Sequence, residues 1–458
     1  MAQEKNNKTD PVVDAAVEVL DRFFPPPRRF AIRLWNGMEL PAGAAPVFTL
    51  VLNNPGALGR IFNPPMELSA GEAYIYGDID IEGDFSAATG LLDDIADMEI
   101  SSQEIAAMLK EVRRLPQARP ERDIQRKPAE LRGELHSRER DREAVRFHFD
   151  VGNEFFALWL DRHMQYSCGY FSTGEEDLDT AQELKIRAIC GSLQLKPGEK
   201  LLDIGCGWGG LALAAANWYG ADATGVTLSE NQAVYGAAQA ARAGLDASSP
   251  PRGAGRVNIR CSDYRDLQDE TYDKIASVRM FEHVGRSHLP EYFSQVYRLL
   301  KPGGLFLVQG NTRCARPSDL SQLKGLDLPA VPAPARKDYF TVPQAARQSQ
   351  YVKKMIGAGS FSQHYIFPDG ELVPFSEAAL IAESAGFEVC GVENLREHYV
   401  HTVKHWVRRL EARQDEAVRL VGAAVYRTWW LYLSFLARGF TTRQINAFQI
   451  LLAKPAGA

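Results

Sequence analysis

Leu201-Leu-Asp-Ile-Gly-Cys-Gly-Trp-Gly-Gly210 decides the fold. Leu201, Leu202 and Ile204 make the apolar run of a buried strand. Gly205, Gly207, Gly209 and Gly210 then remove side chains where the backbone turns tightly and a ligand must come close. Residues 211–219 continue as a helix. Its free N–H groups and positive dipole end suit an anionic or electron-rich ligand. Asp203 is expected at the strand end, facing that crevice.

The same pattern repeats outward from this stretch. Further strands are predicted at 223–227, 257–261, 273–278 and 304–309, with helices in most of the gaps. Alternating βα units predict a parallel sheet with right-handed crossovers. A helix–strand unit follows at 376–395. The tail reads as helical from 400, then as a strand over 445–452. The predicted fold class is α/β: a Rossmann-like sheet with a helical cap, plus a small α+β amino-terminal domain.

The glycines alone leave the ligand open, because Gly205, Gly207 and Gly210 also satisfy G-x-G-x-x-G. A dinucleotide site wants an acidic residue on the next strand, roughly 20 residues on, to hold the ribose. Here that strand runs into Thr227-Leu-Ser-Glu-Asn-Gln232, and Glu230 falls inside the next helix start. With Asp203 ahead of the glycines, the balance favours S-adenosylmethionine (SAM) over NAD. An NAD-dependent oxidoreductase is the competing reading.

The 458 residues suffice for two or three domains. A net charge of −6 gives no global pull toward nucleic acid or anionic lipid, so no nucleic-acid partner is expected. Six cysteines are scattered without C-x-x-C spacing, which argues against structural zinc and for reduced thiols. The amino terminus has no apolar core, and no run of about 18 apolar residues occurs. A cytoplasmic protein with no metal is the expectation.

Residues 1–13 are expected to be disordered. Residues 14–108 read as the small α+β domain. Its helix carries Val17, Leu20, Phe23 and Phe24, and strand-like runs follow at 30–35 and 47–52. Residues 109–146 read as a charged linker. Within 110–146, twelve Lys or Arg meet eight Asp or Glu, and Pro116, Pro120 and Pro128 oppose one continuous helix at its start. A solvated linker is the plain reading; a hinge against anionic lipid head groups is the sharper one. Residues 147–458 form the SAM-dependent domain, with a lid or insert at 311–358.

Several motifs then meet in order. Met164-Gln-Tyr-Ser-Cys-Gly-Tyr-Phe171, Leu202-Asp-Ile-Gly-Cys-Gly-Trp-Gly-Gly210, Gly225-Val-Thr-Leu-Ser-Glu-Asn-Gln232, Met280-Phe-Glu-His-Val-Gly285 and Leu300-Lys-Pro-Gly-Gly304 resemble the cyclopropane-fatty-acid synthase family. Tyr365-Ile-Phe-Pro-Asp-Gly370 and Trp430-Leu-Tyr-Leu-Ser434 fit too, and the resemblance covers roughly 140–452. Gly71-Glu-Ala-Tyr-Ile-Tyr-Gly-Asp78 looks similar to the amino-terminal domain of longer bacterial members. The resemblance implies SAM-dependent methylation of a cis double bond in an unsaturated acyl chain, usually within a phospholipid, giving a cyclopropane. It implies that Tyr166, Ser167, Asp203, Gly205, Gly207, Gly209, Thr227 and Gln232 hold SAM, with Tyr264 and Arg265 near the adenine. It also implies a bound bicarbonate as base, contacted by Cys168, Glu282 and Tyr399. An unsaturated phospholipid substrate, peripheral contact with the inner face of the plasma membrane and a homodimer complete the expectation.

An alkene is a poor nucleophile, so the donor must be held close and in line. The cation formed on the chain must be kept from water, which suits an aromatic-lined pocket. Phe147, Phe149, Phe155, Phe156, Tyr170 and Phe171 are available. Three departures matter. Gln309 stands where the family often has a bicarbonate-contacting histidine, and glutamine cannot titrate. Asn311 stands where an apolar residue is usual, and Leu436 where relatives carry a tail cysteine. They leave open a methylene- or methyl-branched unsaturated product, and a non-catalytic lipid-binding scaffold.

Overall fold

A computed structural model describes residues 10–91, 103, 107, 110–116, 126–246, 253, 255–268, 270–314 and 359–457. The chain divides into two compact units. One joins Met1–Pro128, Lys337–Ile366 and Gly422–Arg438; the other joins Ala129–Arg336, Phe367–Val421 and Gly439–Ala458.

The first unit is built on β1 (Ala31–Arg33), β2 (Glu39–Leu40), β3 (Phe48–Leu52) and β4 (Ile79–Gly83), in the order β2-β1-β3-β4. Strands β1 and β3 are parallel; the other pairs are antiparallel. Helix Pro11–Phe23 buries Val13, Ala16, Val19 and Leu20 against this sheet's core. It starts inside the stretch expected to be disordered. The Asp10 side chain accepts from the Val12 N–H at 2.9 Å, and Pro11 suits the first turn. Residues 1–9 lie outside the described residues.

The Gly71–Asp78 motif lies on helix Met66–Ile75 and the turn after it. A Cβ on Gly71 would stand 2.2 Å from the Phe361 ring, so only glycine lets helix Ser360–Tyr365 come this close. The Tyr365 hydroxyl donates to Glu72 at 2.8 Å, and Arg427 Nε donates to the Tyr74 carbonyl at 2.7 Å. Two segments distant in sequence thus belong to this unit, which sequence periodicity did not show.

The second unit carries β5 (Lys200–Ile204), β6 (Asp222–Thr227), β7 (Val257–Cys261), β8 (Tyr272–Val278), β9 (Leu300–Arg313), β10 (Glu388–Asn394) and β11 (Ile445–Ala453). Their order is β10-β11-β9-β8-β5-β6-β7. Strands β5 to β9 run parallel, and β11 lies antiparallel between β9 and β10. Side chains alternate across a strand, so Leu201 and Leu202 feed different cores. Leu201 joins Ala276 and Leu307 under helices Leu178–Ser192 and Gly210–Tyr219. Leu202 joins Ile275 and Phe306 under helices Leu289–Leu299 and Phe375–Ser384. Strand order reverses at β5, where neighbours β6 and β8 lead in opposite directions. Open α/β sheets bind ligands at such a point, outside the carboxyl ends of the strands.

Two boundaries differ from the sequence reading. Residues 138–146, placed in the charged linker, belong to helix Arg138–Phe149, which Ser137 caps by accepting from the Arg140 N–H. Residues 311–313, placed in the insert, extend β9, while 315–358 lie outside the described residues. Among the described residues no helix is long and apolar enough to cross a membrane.

Candidate active site

A cavity of about 860 Å³, counting its mouth, opens at the carboxyl ends of β5, β6 and β8. Gly205, Gly207, Thr227, Gln232, Tyr264 and Arg265 line it, which brings together six of the ten residues expected to hold SAM. Gly205 has φ +76°, and a Cβ there would lie 2.8 Å from the Met280 side chain. The turn therefore needs glycine twice over, for its backbone and for its space.

Thr227 Oγ1 donates to Gln232 Oε1 at 2.7 Å, which fixes the amide. Gln232 Nε2 is buried with no hydrogen-bond partner, 3.9 Å from the place a Cβ on Gly207 would take. A buried N–H left unpaired costs about 1–3 kcal/mol, so this donor fits an acceptor on a bound ligand such as SAM. Arg265 is held by Asp263 (Nη2 at 2.6 Å) and Asp141 (2.9 Å). Burial opposes its charge, but those carboxylates keep the guanidinium well above its usual value.

The other four residues lie off this lining. Gly209 (φ +84°) packs against Ile259, 3.2 Å from where its Cβ would be. Tyr166 sits among Trp406, His148 and Trp159, with ring centres 5.2–5.6 Å away. Ser167 Oγ accepts from Lys185 Nζ at 2.9 Å. Asp203 does not face the crevice as expected. Alternation along β5 puts it on the Leu201 side, buried beneath the helix that carries Lys185. Burial pushes the Asp203 carboxyl up to about 7 against the pull of Lys185, whose ammonium burial pushes down to about 8.

That shift makes a pH prediction. The folded chain holds a proton on Asp203 between the ordinary value of 3.8 and about 7, where the unfolded chain does not. This group's contribution to stability therefore falls as pH rises through that window, by at most about 1.4 kcal/mol per pH unit. Asp203→Asn should flatten that slope, so its melting temperature should gain on wild type between pH 5 and 7.5. Parallel pH profiles for the two proteins would contradict the assignment.

The cavity has walls the sequence reading missed. Asp141, Ala144 and Val145 reach it from helix Arg138–Phe149, and Pro368 and Asp369 from the turn after Phe367. Arg140 clamps Asp369 with two hydrogen bonds, at 2.6 and 2.9 Å. Ser137 ahead of the apolar pair Ala144-Val145 was the available signal, masked by the surrounding charge. Of the six aromatics proposed to line a pocket, Phe149 does so. Phe155 and Phe156 are core, packed on Trp159, with Phe156 also 4.9 Å from Trp208. Tyr170 donates to Glu393, and Phe171 stacks on His405.

Beside the cavity stands a buried carboxylate. Glu282 Oε1 accepts from the Asn311 N–H at 2.7 Å and lies 3.4 Å from Arg279 Nε; Oε2 is buried with no hydrogen-bond partner. Burial raises the Glu282 pKa, and Arg279 opposes the rise. Arg279 Nη1 donates to the Tyr399 hydroxyl at 2.7 Å, and Arg279 itself lines the cavity. Its guanidinium lies 5.6 Å from the ring centres of both Tyr166 and Tyr399. Its backbone is left-handed, φ +62°, and its N–H donates to the Gln309 carbonyl at 2.7 Å. Arg279 thus links Glu282 to Tyr399, and the sequence reading missed it. Gln309 is 1% exposed, and neither of its amide atoms has a partner. Cys168 Sγ donates to the Gly169 and Leu395 carbonyls at 3.3 and 3.6 Å. Burial holds that thiol far above its usual value, so it is neutral and no nucleophile.

Comparisons with known proteins agree with this geometry. The family model for mycolic acid cyclopropane synthetase matches residues 136–450. A probable fatty acid methyltransferase of Pseudomonas putida is 34% identical over 93% of this chain and 91% of its own length. The cyclopropane-fatty-acyl-phospholipid synthase of Escherichia coli (strain K12) is 34% identical over 67% of this chain and 66% of its own. Among solved structures, mycolic acid cyclopropane synthase CmaA1 complexed with SAH and CTAB superposes with a TM-score of 0.56. It is 29% identical and covers 68% of this chain and 97% of its own. A glycine turn at the strand-order reversal, a ligand-ready cavity above it and a match over two thirds of the sequence have one common explanation: the chain belongs to the mycolic acid cyclopropane synthetase family of SAM-dependent methyltransferases.

Proposed function

We propose that this chain transfers a methyl group from SAM to the cis double bond of an unsaturated acyl chain in a phospholipid, closing a cyclopropane ring. The observation that carries this reading is the neighbourhood of Glu282. A buried carboxylate oxygen with no partner lies beside a cavity suited to the donor, joined to its wall by Arg279. Proton removal from carbon after methyl transfer needs such a group. Bound SAM supplies an electrophilic methyl. The chain's own work is to orient the donor through Gln232, to exclude water with the aromatic cluster around Tyr166, and to receive a proton beside Glu282. The names of the two bacterial relatives support an acyl substrate. Peripheral membrane contact and a homodimer belong to the same proposal.

A second reading is a branched, still unsaturated chain. Gln309 and the fatty acid methyltransferase match over nearly the whole chain favour it. The ring forms when the methyl carbon loses a proton and closes on the cation. The branch forms when a chain carbon next to the cation loses one, or, for a methylene, when the methyl loses one after a hydride has moved to the cation. Incubation with SAM and vesicles of one defined monounsaturated phospholipid tests both. Acyl chains should gain one CH₂ by mass. Loss of alkene proton resonances marks the ring, and their retention marks the branch. Acyl chains of unchanged mass would end the methyl-transfer reading.

Gln232→Ala gives a narrower check on the donor site. It should weaken SAM binding by about 1–2 kcal/mol, roughly 5- to 30-fold, by titration calorimetry. Unchanged affinity would place the donor elsewhere.

A further inference from the structure

Arg279 bears on the identity of the base, and the inference rests on the methyl-transfer reading above. The family resemblance assigns bicarbonate contacts to Cys168, Glu282 and Tyr399. The residues present do not fit that anion well. Gln309 takes the histidine's place at one contact; of the other three, two already hold the Arg279 guanidinium, at 3.4 Å from Glu282 and 2.7 Å from Tyr399. The third, Cys168, is turned to two backbone carbonyls. Charge points the same way. The Arg279 side chain already faces Glu282, and buried Lys185 already faces Asp161 and Asp203. Neither of these two cations is left over for another buried anion, and an uncompensated one is costly. Arg279 also keeps a left-handed backbone, which costs a non-glycine residue about 1–2 kcal/mol. Such strain clusters where a side chain has to be aimed.

We propose that Arg279 stands in place of the bicarbonate and that Glu282 is itself the base, with Arg279 as its positioning residue. In the step, the alkene π pair forms the bond to the methyl carbon, and the broken S–C pair stays on sulfur. Glu282 Oε2 then takes a proton either from the newly added methyl carbon, two bonds from the cation, or from a chain carbon next to the cation. The freed C–H pair closes the ring or restores a double bond, and the proton passes from Glu282 to water after product leaves.

The test compares turnover in bicarbonate-depleted buffer with turnover after bicarbonate is added, for wild type and Arg279→Gly. Glycine accepts φ +62° without strain, so the variant should fold. Wild type should change less than about twofold, whereas Arg279→Gly should lose about 10²-fold, as expected when a reacting group is misplaced. Titration of bicarbonate into SAH-saturated wild type should give no binding heat. Wild-type turnover that collapses without bicarbonate and returns with it would overturn the proposal. So would bicarbonate binding to wild type, or an Arg279→Gly variant with the wild-type rate. If no lipid gains carbon under either condition, the methyl-transfer reading fails instead, and the calorimetry still decides whether bicarbonate binds.

Discussion

Glu282→Gln should lower methyl transfer by about 10²–10⁴-fold, the range for loss of a positioned proton acceptor. Glutamine keeps the shape of the side chain and can still accept from the Asn311 N–H. It cannot take a proton: with its oxygen kept toward Asn311 and Arg279, its NH₂ group takes the place of Oε2, the oxygen that would receive the proton. Because Glu282 is absent from the cavity lining, SAM affinity should hold. The loss should therefore fall on kcat, with KM for SAM little changed. The pH profile gives a second readout. Burial raises the Glu282 pKa, so the active carboxylate is lost as pH falls through that raised value. Wild type should show an acid limb displaced upward from the ordinary carboxylate range, and the variant should lack it. An unchanged kcat would make Glu282 a structural carboxylate. Turnover at background in wild type and variant alike would favour a lipid-binding scaffold.

The sheet was legible because its strands are short apolar runs with glycine or polar breaks. The 257–261 strand matches residue for residue, and the apolar run of Leu201, Leu202 and Ile204 falls on β5. The turn of Gly205 and Gly207 was legible for the same reason: it follows a strand end, where open α/β sheets put ligands, whereas Thr227 and Gln232 were named by the family resemblance. What escaped depends on distance in space. Lys185 reads as a surface lysine on an ordinary helix, yet it is 2% exposed beneath Ser167. Asp203 was assigned to the crevice from its place at a strand end, but side-chain alternation sends it the other way. Arg279 lies between Val278 and Met280 with no motif of its own. Only the fold shows its guanidinium bonded to Tyr399, 120 positions away. Helix Arg138–Phe149 was hidden by charge, because eight of its twelve residues are Arg, Asp, Glu or His and dilute the apolar spacing. The docking of helix Ser360–Tyr365 on Gly71 has no local signature at all.

Asp78→Ala should destabilise the first unit by about 3–5 kcal/mol, the usual cost of breaking a buried ion pair from one side. Asp78 is fully buried. Its carboxylate takes Arg60 Nη2 at 2.7 Å and Nε at 2.9 Å, and accepts from Asn54 Nδ2 at 3.0 Å. Alanine removes the countercharge and leaves the 9% exposed Arg60 with the Asn54 amide oxygen, which carries no net charge. The backbone of residue 78 also closes the turn into β4, through N–H to Ala73 and C=O to Asn53, and alanine preserves both bonds. Any loss therefore reports the side chain. Amide exchange across β3 and β4 is the right probe, since a chain of two units need not melt in one step. Protection there should drop, while amides of β5 and β8 should be unaffected. The double change Arg60→Met with Asp78→Leu should recover much of the loss, because an apolar pair of similar volume carries no desolvation cost. A double variant as weak as Asp78→Ala would show that the ion pair was not the cause. The same variant probes what the first unit does. Every residue lining the donor cavity belongs to the second unit, so SAM affinity should persist. If the first unit presents lipid, turnover on vesicles should fall further than turnover on detergent-dispersed lipid. Equal loss on both would assign it a purely structural role.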